Sequence, residues 1–350
     1  MPVDERLFDE ESSHSQTSDD RRIAHVGPLV CESGETLHDL RVAYQVWGEL
    51  NSARDNLIVV CHALSGDSNV AGWWSALFGP GKVFDPTRFC IVGTNALGGC
   101  RGTTGPADLD SDGRPYGSRF PKITVGDMVT VQQRLLNHLD FPRPAMVCGG
   151  SMGSMQALEW GRRDATHRVW VTAGAARHSA MQIGFNEAAR QAIYADSMFS
   201  GGDYYDGPGP TQGLAVARML GHLSYLSDRA FEDKFGRSRR DDGTFQVASY
   251  LQYNGTKFTT RFDANSLIVL SRAIDAYDCS DLSMSRARYL VTAYTSDWLY
   301  PSHQSEVIHE LALRSGCDSH YQLIDLPHGH DSFLLDSEVQ GRLALDFVAG

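Results

Sequence analysis

Residues Pro144–Trp160 read PAMVCGGSMGSMQALEW, and the fold is decided there. Pro144–Cys148 is a short apolar run that suits a buried strand. Gly149-Gly150-Ser151-Met152-Gly153 then fits G-x-S-x-G, and Met155, Ala157, Leu158 and Trp160 continue at helical spacing. A strand, this pattern and a helix in immediate succession form a nucleophile elbow, a sharp turn that holds its serine in a strained conformation with the hydroxyl exposed. Glycines two residues to either side remove side chains that would collide as strand and helix close together. The helix also aims its first amides at the spot where negative charge would develop. The bare pattern recurs by chance, so a Gly-rich turn that merely packs is the competing reading. The strand before and the helix after favour a catalytic Ser151.

Working outward, Leu40–Trp47 alternates like a half-buried strand, while Asn56–Cys61 (NLIVVC) and Phe89–Val92 (FCIV) are continuous apolar runs. Such runs suit a parallel sheet with helices on both faces. Asn95–Pro106 (NALGGCRGTTGP) reads as a long loop. Thr124–Asp127 resembles a capping box opening a helix through Leu139. Arg168–Thr172 (RVWVT) is a further strand, so this part of the chain alternates strand and helix. That alternation stops from about Ala176 to Arg286, where helical patterns such as Glu187–Tyr194 and Leu214–Leu223 dominate. It resumes with strands at Arg288–Thr295 and His320–Leu326, a helix at His303–Arg314 between them, and a closing helix over Phe333–Phe347. The expected class is α/β: a mostly parallel central sheet flanked by helices, built from residues 23–175 and 287–350. Residues 176–286 form a helical insertion capping the sheet's C-terminal edge, and residues 1–22, polar and acidic, form a disordered tail.

With 350 residues, 42% hydrophobic and 21% charged, the composition is that of an ordinary globular protein. A formal charge of −12 argues against nucleic acid and anionic membrane surfaces as partners, since both call for a clustered basic face. The Arg237–Arg240 cluster is followed at once by Asp241-Asp242 and reads as a solvated loop. Seven cysteines without a C-x-x-C pair indicate neither a zinc ribbon nor a disulfide framework. With no leader pattern and no apolar run of membrane-spanning length, the expected location is the cytoplasm.

A serine hydroxyl needs a base and a group to orient it, and after an elbow these follow in the order acid, then histidine, each beyond a late strand. Asp297 lies just past the strand ending at Thr295, and His330 just past the strand ending at Leu326. Taken singly, Asp297 could cap a turn, and His328 with His330 could be a metal pair. No third ligand is placed to complete a metal site, so no metal is expected. As a set in the right order, Ser151, Asp297 and His330 form a triad. The oxyanion hole should combine the backbone amide of Met152 with that of Leu64, in the loop His62–Gly66 after the strand ending at Cys61. An ordinary turn is the alternative for that loop.

CHALSGD (61–67), NALGGCRGTTGP (95–106), GGSMGSMQALEW (149–160), FNEAARQAI (185–193), ARMLGHLSYLS (217–227), RFDANS (261–266), SDWLYP (296–301) and GHDSFL (329–334) together resemble the homoserine O-acetyltransferase family. The likeness runs from about residue 28 to the C-terminus. It implies an α/β-hydrolase core with a helical lid, a homodimer formed through the lid, and a role in methionine biosynthesis. No cofactor is permanently bound; acetyl-CoA is the co-substrate and L-homoserine the acceptor. The resemblance makes Ser151 the nucleophile, His330 the base and Asp297 its orienting group, with Arg218 and Asp331 binding the acceptor. Without it, Arg218 would read as a surface ion pair on a lid helix. Relatives using succinyl-CoA often carry Arg where Leu299 stands, so Leu299 favours acetyl. Ser154 replaces a glycine usual in the elbow helix, a small-for-small change. The competing functions are homoserine O-succinyltransferase, serine O-acetyltransferase, an esterase-type hydrolase, and a binding protein that kept the fold without catalysis.

Overall fold

The continuous apolar runs become the central strands of an eight-stranded sheet. The computed structural model describes residues 20–336 and 338–350. Its strands are β1 (Arg22–His25), β2 (Leu29–Val30), β3 (Thr36–Leu37), β4 (Arg41–Trp47), β5 (Leu57–Cys61), β6 (Cys90–Thr94), β7 (Met146–Gly150), β8 (Arg168–Thr172), β9 (Arg288–Tyr294) and β10 (Ser319–Ile324). The main sheet runs β1-β4-β6-β5-β7-β8-β9-β10, with β2 and β3 forming a separate hairpin. β4 is antiparallel to β1 and β6, and the pairings from β6 through β10 are parallel. The tail expected over residues 1–22 lies outside the described residues except for its last three, of which Arg22 already pairs in β1.

The helices are α1 (Val70–Trp73), α2 (Val125–His138), α3 (Met152–Arg162), α4 (Ala180–Tyr194), α5 (Thr211–Tyr225), α6 (Asp228–Lys234), α7 (Gln246–Thr259), α8 (Ala264–Asp275), α9 (Ser302–Arg314), α10 (Ser332–Leu335) and α11 (Val339–Ala349). Five of them, α4–α8, fall between β8 and β9. The capping box of α2 is present in both halves: Asp127 N donates to Thr124 Oγ1 at 3.0 Å and Thr124 N to Asp127 Oδ2 at 2.9 Å.

Why the runs are continuous is visible in β5. Leu57, Val59 and Cys61 face one layer with Leu158, Trp160 and Ile308, while Ile58 and Val60 face the other with Trp74, Phe84 and Phe333. A strand apolar on both faces needs two covering layers, and each side chain buried there contributes about 1.5–3 kcal/mol. In the second layer Trp74 stacks on Trp170 at 5.4 Å and meets Phe333 edge-on at 6.0 Å.

Two expectations need correction. β4 is buried continuously over Val42–Gln45 instead of alternating, because the 95–106 loop folds back across it. Thr103 Oγ1 accepts from Ala43 N at 2.9 Å, and Asn95 N donates to Ala43 O at 2.8 Å. The closing helix is broken in two at Asp336, which is extended (φ −74°, ψ 110°) and turns its carboxylate onto the first amides of α11. Glu338, Val339 and Gln340 N donate to it at 3.0, 3.0 and 2.9 Å. An aspartate that can cap a new helix there outcompetes continuation of the old one.

Candidate active site

The sheet brings the candidate residues to one edge. Cys61 pairs with Gly149 in register, so the chain leaves β5 and β7 side by side and the His62–Gly66 loop runs beside Ser151. Ile324 of β10 pairs with Tyr294 of β9, which sets the Asp297 and His330 loops next to each other in turn. All four loops lie outside the carboxyl ends of parallel strands, where open α/β sheets place their ligand sites.

Ser151 has φ 55° and ψ −123° as the cap of α3, a backbone conformation costly for a residue with a Cβ. The turn closes tightly. A Cβ on Gly153 would lie 2.1 Å from the Cys61 carbonyl oxygen, and one on Gly149 would lie 2.5 Å from the Gly153 backbone. Gly153→Ala is therefore expected to destabilise the protein by on the order of 3 kcal/mol. Urea unfolding followed by tryptophan fluorescence would show it as a lowered midpoint, and an unchanged midpoint would contradict the packing described here. Ser154 donates from Oγ to Ser151 O at 2.5 Å, so its hydroxyl braces the elbow.

Asp297 and His330 meet directly: His330 Nδ1 lies 2.7 Å from Asp297 Oδ2, and both side chains are buried. The other carboxylate oxygen accepts from Tyr300 N at 2.8 Å. Tyr300 touches both members of this couple. Its ring lies flat on His330 at 4.8 Å with a 17° tilt, and it lines the same cavity as Ser151. The His330 loop is pressed against the chain joining α5 to α6. Gly329 has φ +74°, and a Cβ on it would sit 2.5 Å from Tyr225 O and from Ser227 N.

Ser151 opens on a cavity of about 70 Å³ roofed by α4, α5 and α8, with Leu64, Leu299 and Tyr300 also in its lining. Leu64 thus stands beside Ser151, and the Met152 amide is the first of α3, among those with no acceptor inside the helix. The loop carrying Leu64 is pinned on two sides. His62 is buried, its Nε2 accepting from Ala96 N at 2.9 Å and its Nδ1 lying 2.6 Å from Ala63 O. Burial lowers its pKa, which keeps the ring neutral and able to accept. Opposite, Arg218 Nη1 donates to Ser65 Oγ at 3.1 Å and Arg261 Nη1 to Ser65 O at 2.9 Å.

Arg218 is not on the surface. It is 4% exposed, its guanidinium 4.7 Å over the Phe258 ring and 5.8 Å over Tyr225. The exposed ion pair that its sequence position suggests is thereby excluded. Asp331 follows His330 in the 3-10 turn Gly329–Asp331 and is half-buried. Positive charge gathers on the α5–α7 side despite the net charge of −12. Burial, with Arg218, Lys234 and Arg261 nearby, pushes His222 down to about 2.

Sequence reasoning passed over Tyr300, His178 and Asp275. His178 stands just before the Ser179 cap of α4, and its Nε2 reaches the Tyr300 hydroxyl at 2.6 Å. A histidine soon after the sheet-edge end of β8 was the available signal.

Residues 56–337 match the α/β hydrolase fold family. The chain is 43% identical to the homoserine O-acetyltransferase of Solidesulfovibrio magneticus, with 91% of this chain and 88% of that one covered. It is 42% identical to that of Leptospira biflexa, covering 94% and 93%. Among solved structures, homoserine O-acetyltransferase from Bacillus anthracis superposes with TM-score 0.88 at 22% identity, covering 94% of this chain and 97% of that one. Esterase E22 superposes with TM-score 0.87 at 25% identity, covering 94% and 99%.

Proposed function

The chain belongs to the homoserine O-acetyltransferase family, and we propose that it moves the acetyl group of acetyl-CoA onto the side-chain hydroxyl of L-homoserine through an acetyl-Ser151 intermediate. The observation that carries this reading is the buried Asp297–His330 couple, 2.7 Å apart, on the same edge of the sheet as a serine held at φ 55°.

His330 takes the Ser151 proton as Oγ attacks the thioester carbonyl. The amides of Met152 and Leu64 hold the resulting oxyanion. The C–S bond breaks, and the leaving CoA sulfur takes the proton from His330. Homoserine then enters, gives its hydroxyl proton to His330 and attacks the acetyl-serine. O-acetylhomoserine departs as the proton returns to Ser151. Each substrate meets the same base in turn, which is a ping-pong cycle.

Homoserine is a zwitterion, so Arg218 takes its carboxylate and Asp331 its ammonium. Arg218, Lys234 and Arg261 around His222 also favour anionic substrates. Leu299 in the cavity lining leaves a longer acyl chain's carboxylate without a partner at its own position, which favours acetyl over succinyl. The five helices between β8 and β9 act as a lid that limits water while the acetyl-enzyme waits. The same helices expose Met181, Ile183, Val216, Leu223 and Tyr253, which supports a homodimer through this face. No helix among the described residues is long and apolar enough to cross a membrane, and the reading carries a cytoplasmic location.

Esterases share this fold, so the acceptor decides between transfer and hydrolysis. The test is CoA release from acetyl-CoA and from succinyl-CoA, each with homoserine, serine or water as acceptor. Release with acetyl-CoA and homoserine is expected to exceed every other combination at least about tenfold. Equal release with water alone would make the protein a hydrolase and withdraw the roles given to Arg218 and Asp331.

A further inference from the structure

Ala63–Gly66 is a β-turn closed by Gly66 N, which donates to Ala63 O at 2.9 Å. The amides of its two central residues, Leu64 and Ser65, take no part in that bond, and Leu64 lines the Ser151 cavity. The turn is tight: a Cβ on Gly66 would lie 2.9 Å from His62 Cβ and 3.3 Å from Ala63 O.

A trans peptide unit is planar, with its N–H opposed to its carbonyl, so whatever holds one aims the other. Ala63 O shares a plane with Leu64 N. It is held by Gly66 N and, from the core side, lies 2.6 Å from His62 Nδ1. Gly66 N in turn shares a plane with Ser65 O, which accepts from Arg261 Nη1 at 2.9 Å. Two peptide planes thus connect the Arg261 guanidinium to the Leu64 N–H.

Arg261 is itself fixed. It lies between α7 and α8, where its N donates to Phe258 O at 3.1 Å and its carbonyl accepts from Cys100 Sγ at 3.8 Å. Its guanidinium lies 5.0 Å from the Phe258 ring, which also carries Arg218 at 4.7 Å. Ser65 bridges these two like charges, taking Arg218 on its hydroxyl at 3.1 Å and Arg261 on its carbonyl. Hydrogen bonds from charged donors are the stronger kind, so the turn is gripped firmly from the lid side.

We propose that Arg261 is a positioning residue for catalysis: through Ser65 O and Gly66 N it sets the direction of the Leu64 amide, so the lid completes the oxyanion hole. This rests on Ser151 being the nucleophile and on Leu64 donating to the oxyanion. The oxyanion forms twice in the cycle, when Ser151 attacks the thioester and when homoserine attacks acetyl-Ser151. A residue acting through the turn therefore affects both steps by a similar factor and leaves substrate binding alone.

The test uses the full chain with Arg261→Met, which keeps an aliphatic stem on Phe258 and withdraws the donor from Ser65. Three rates are measured. They are the burst of CoA release at saturating acetyl-CoA without acceptor, single-turnover transfer from acetyl-enzyme to saturating homoserine, and labelling of Ser151 by a fluorophosphonate, whose phosphoryl oxygen enters the same hole. Each is expected to fall about ten- to a hundredfold, less than for a deleted oxyanion donor, because the amide is misaimed and not removed. KM for both substrates should stay within about twofold of wild type. Arg261→Gln, whose amide is too short to reach Ser65 O, takes its place if the methionine variant does not fold. A fall of less than about tenfold in either half-reaction would overturn the proposal. So would wild-type rates at saturation with a raised acetyl-CoA KM, which would make Arg261 only a charge that attracts the donor. Wild-type protein showing neither burst nor labelling would remove the acetyl-serine reading, and this proposal with it.

Discussion

Ser151→Ala is expected to abolish acetyl transfer, with kcat falling about 10⁶-fold as when a triad serine is lost elsewhere. The elbow supplies the reason. The hydroxyl is the atom that leaves the sheet edge towards the cavity, while the strained backbone beneath it is held by Gly149 and Gly153 packing against β5. Alanine at φ 55° bears a strain like that of serine, so the variant should fold with an unchanged unfolding midpoint. Fluorophosphonate labelling should disappear with activity. Residual transfer within about a hundredfold of wild type would mean that homoserine attacks acetyl-CoA directly, because the triad serine normally supplies far more than that.

Asp297→Asn is expected to give the next largest loss, about 10⁴-fold in kcat by analogy with the triad aspartate of serine proteases. The geometry makes it a tautomer effect. Tyr300 N donates to Oδ1 at 2.8 Å, so an asparagine would keep its carbonyl oxygen there and turn its NH₂ towards His330 Nδ1. A donor facing Nδ1 forces the ring proton onto Nε2, and a ring protonated at Nε2 cannot take the Ser151 proton. The hydrogen-bond count is preserved, so stability should change little. A loss under about tenfold would show that His330 needs no carboxylate to set its tautomer. NMR of the histidine ring nitrogens would report the tautomer directly.

The core and the elbow were legible because each carries a local signature. β5 and β7 are apolar on both faces, Thr124 and Asp127 sit at capping-box spacing, and G-x-S-x-G falls between strand and helix. Asp297 and His330 were legible from their places after late strands. What escaped notice depends on contacts between distant parts of the chain. Strands β1, β2 and β3 are short and partly exposed, with no apolar run to mark them. The break at Asp336 turns on which amides its carboxylate reaches, and an uninterrupted helical pattern hides that. Asp275 and Tyr300 lie 97 and 122 residues beyond His178 along the chain, and no spacing rule connects them to it. Arg218 was misjudged on the residues alone because its helix packs against α4 and α7 and on the loop holding Ser65, leaving it no solvent-facing side.

The tight seat of Gly329 against Tyr225 and Ser227 bears on how this scaffold could be re-engineered. The segment between α5 and α6 is the bearing surface on which the His330 loop rests, so roof and base cannot be exchanged as separate modules. A chimera that imports another relative's 176–286 region to change the acceptor would have to retain Tyr225–Ser227 as a spacer of fixed thickness. A bulkier or shifted segment there would displace His330 from Ser151 even with Ser151, Asp297 and His330 themselves untouched.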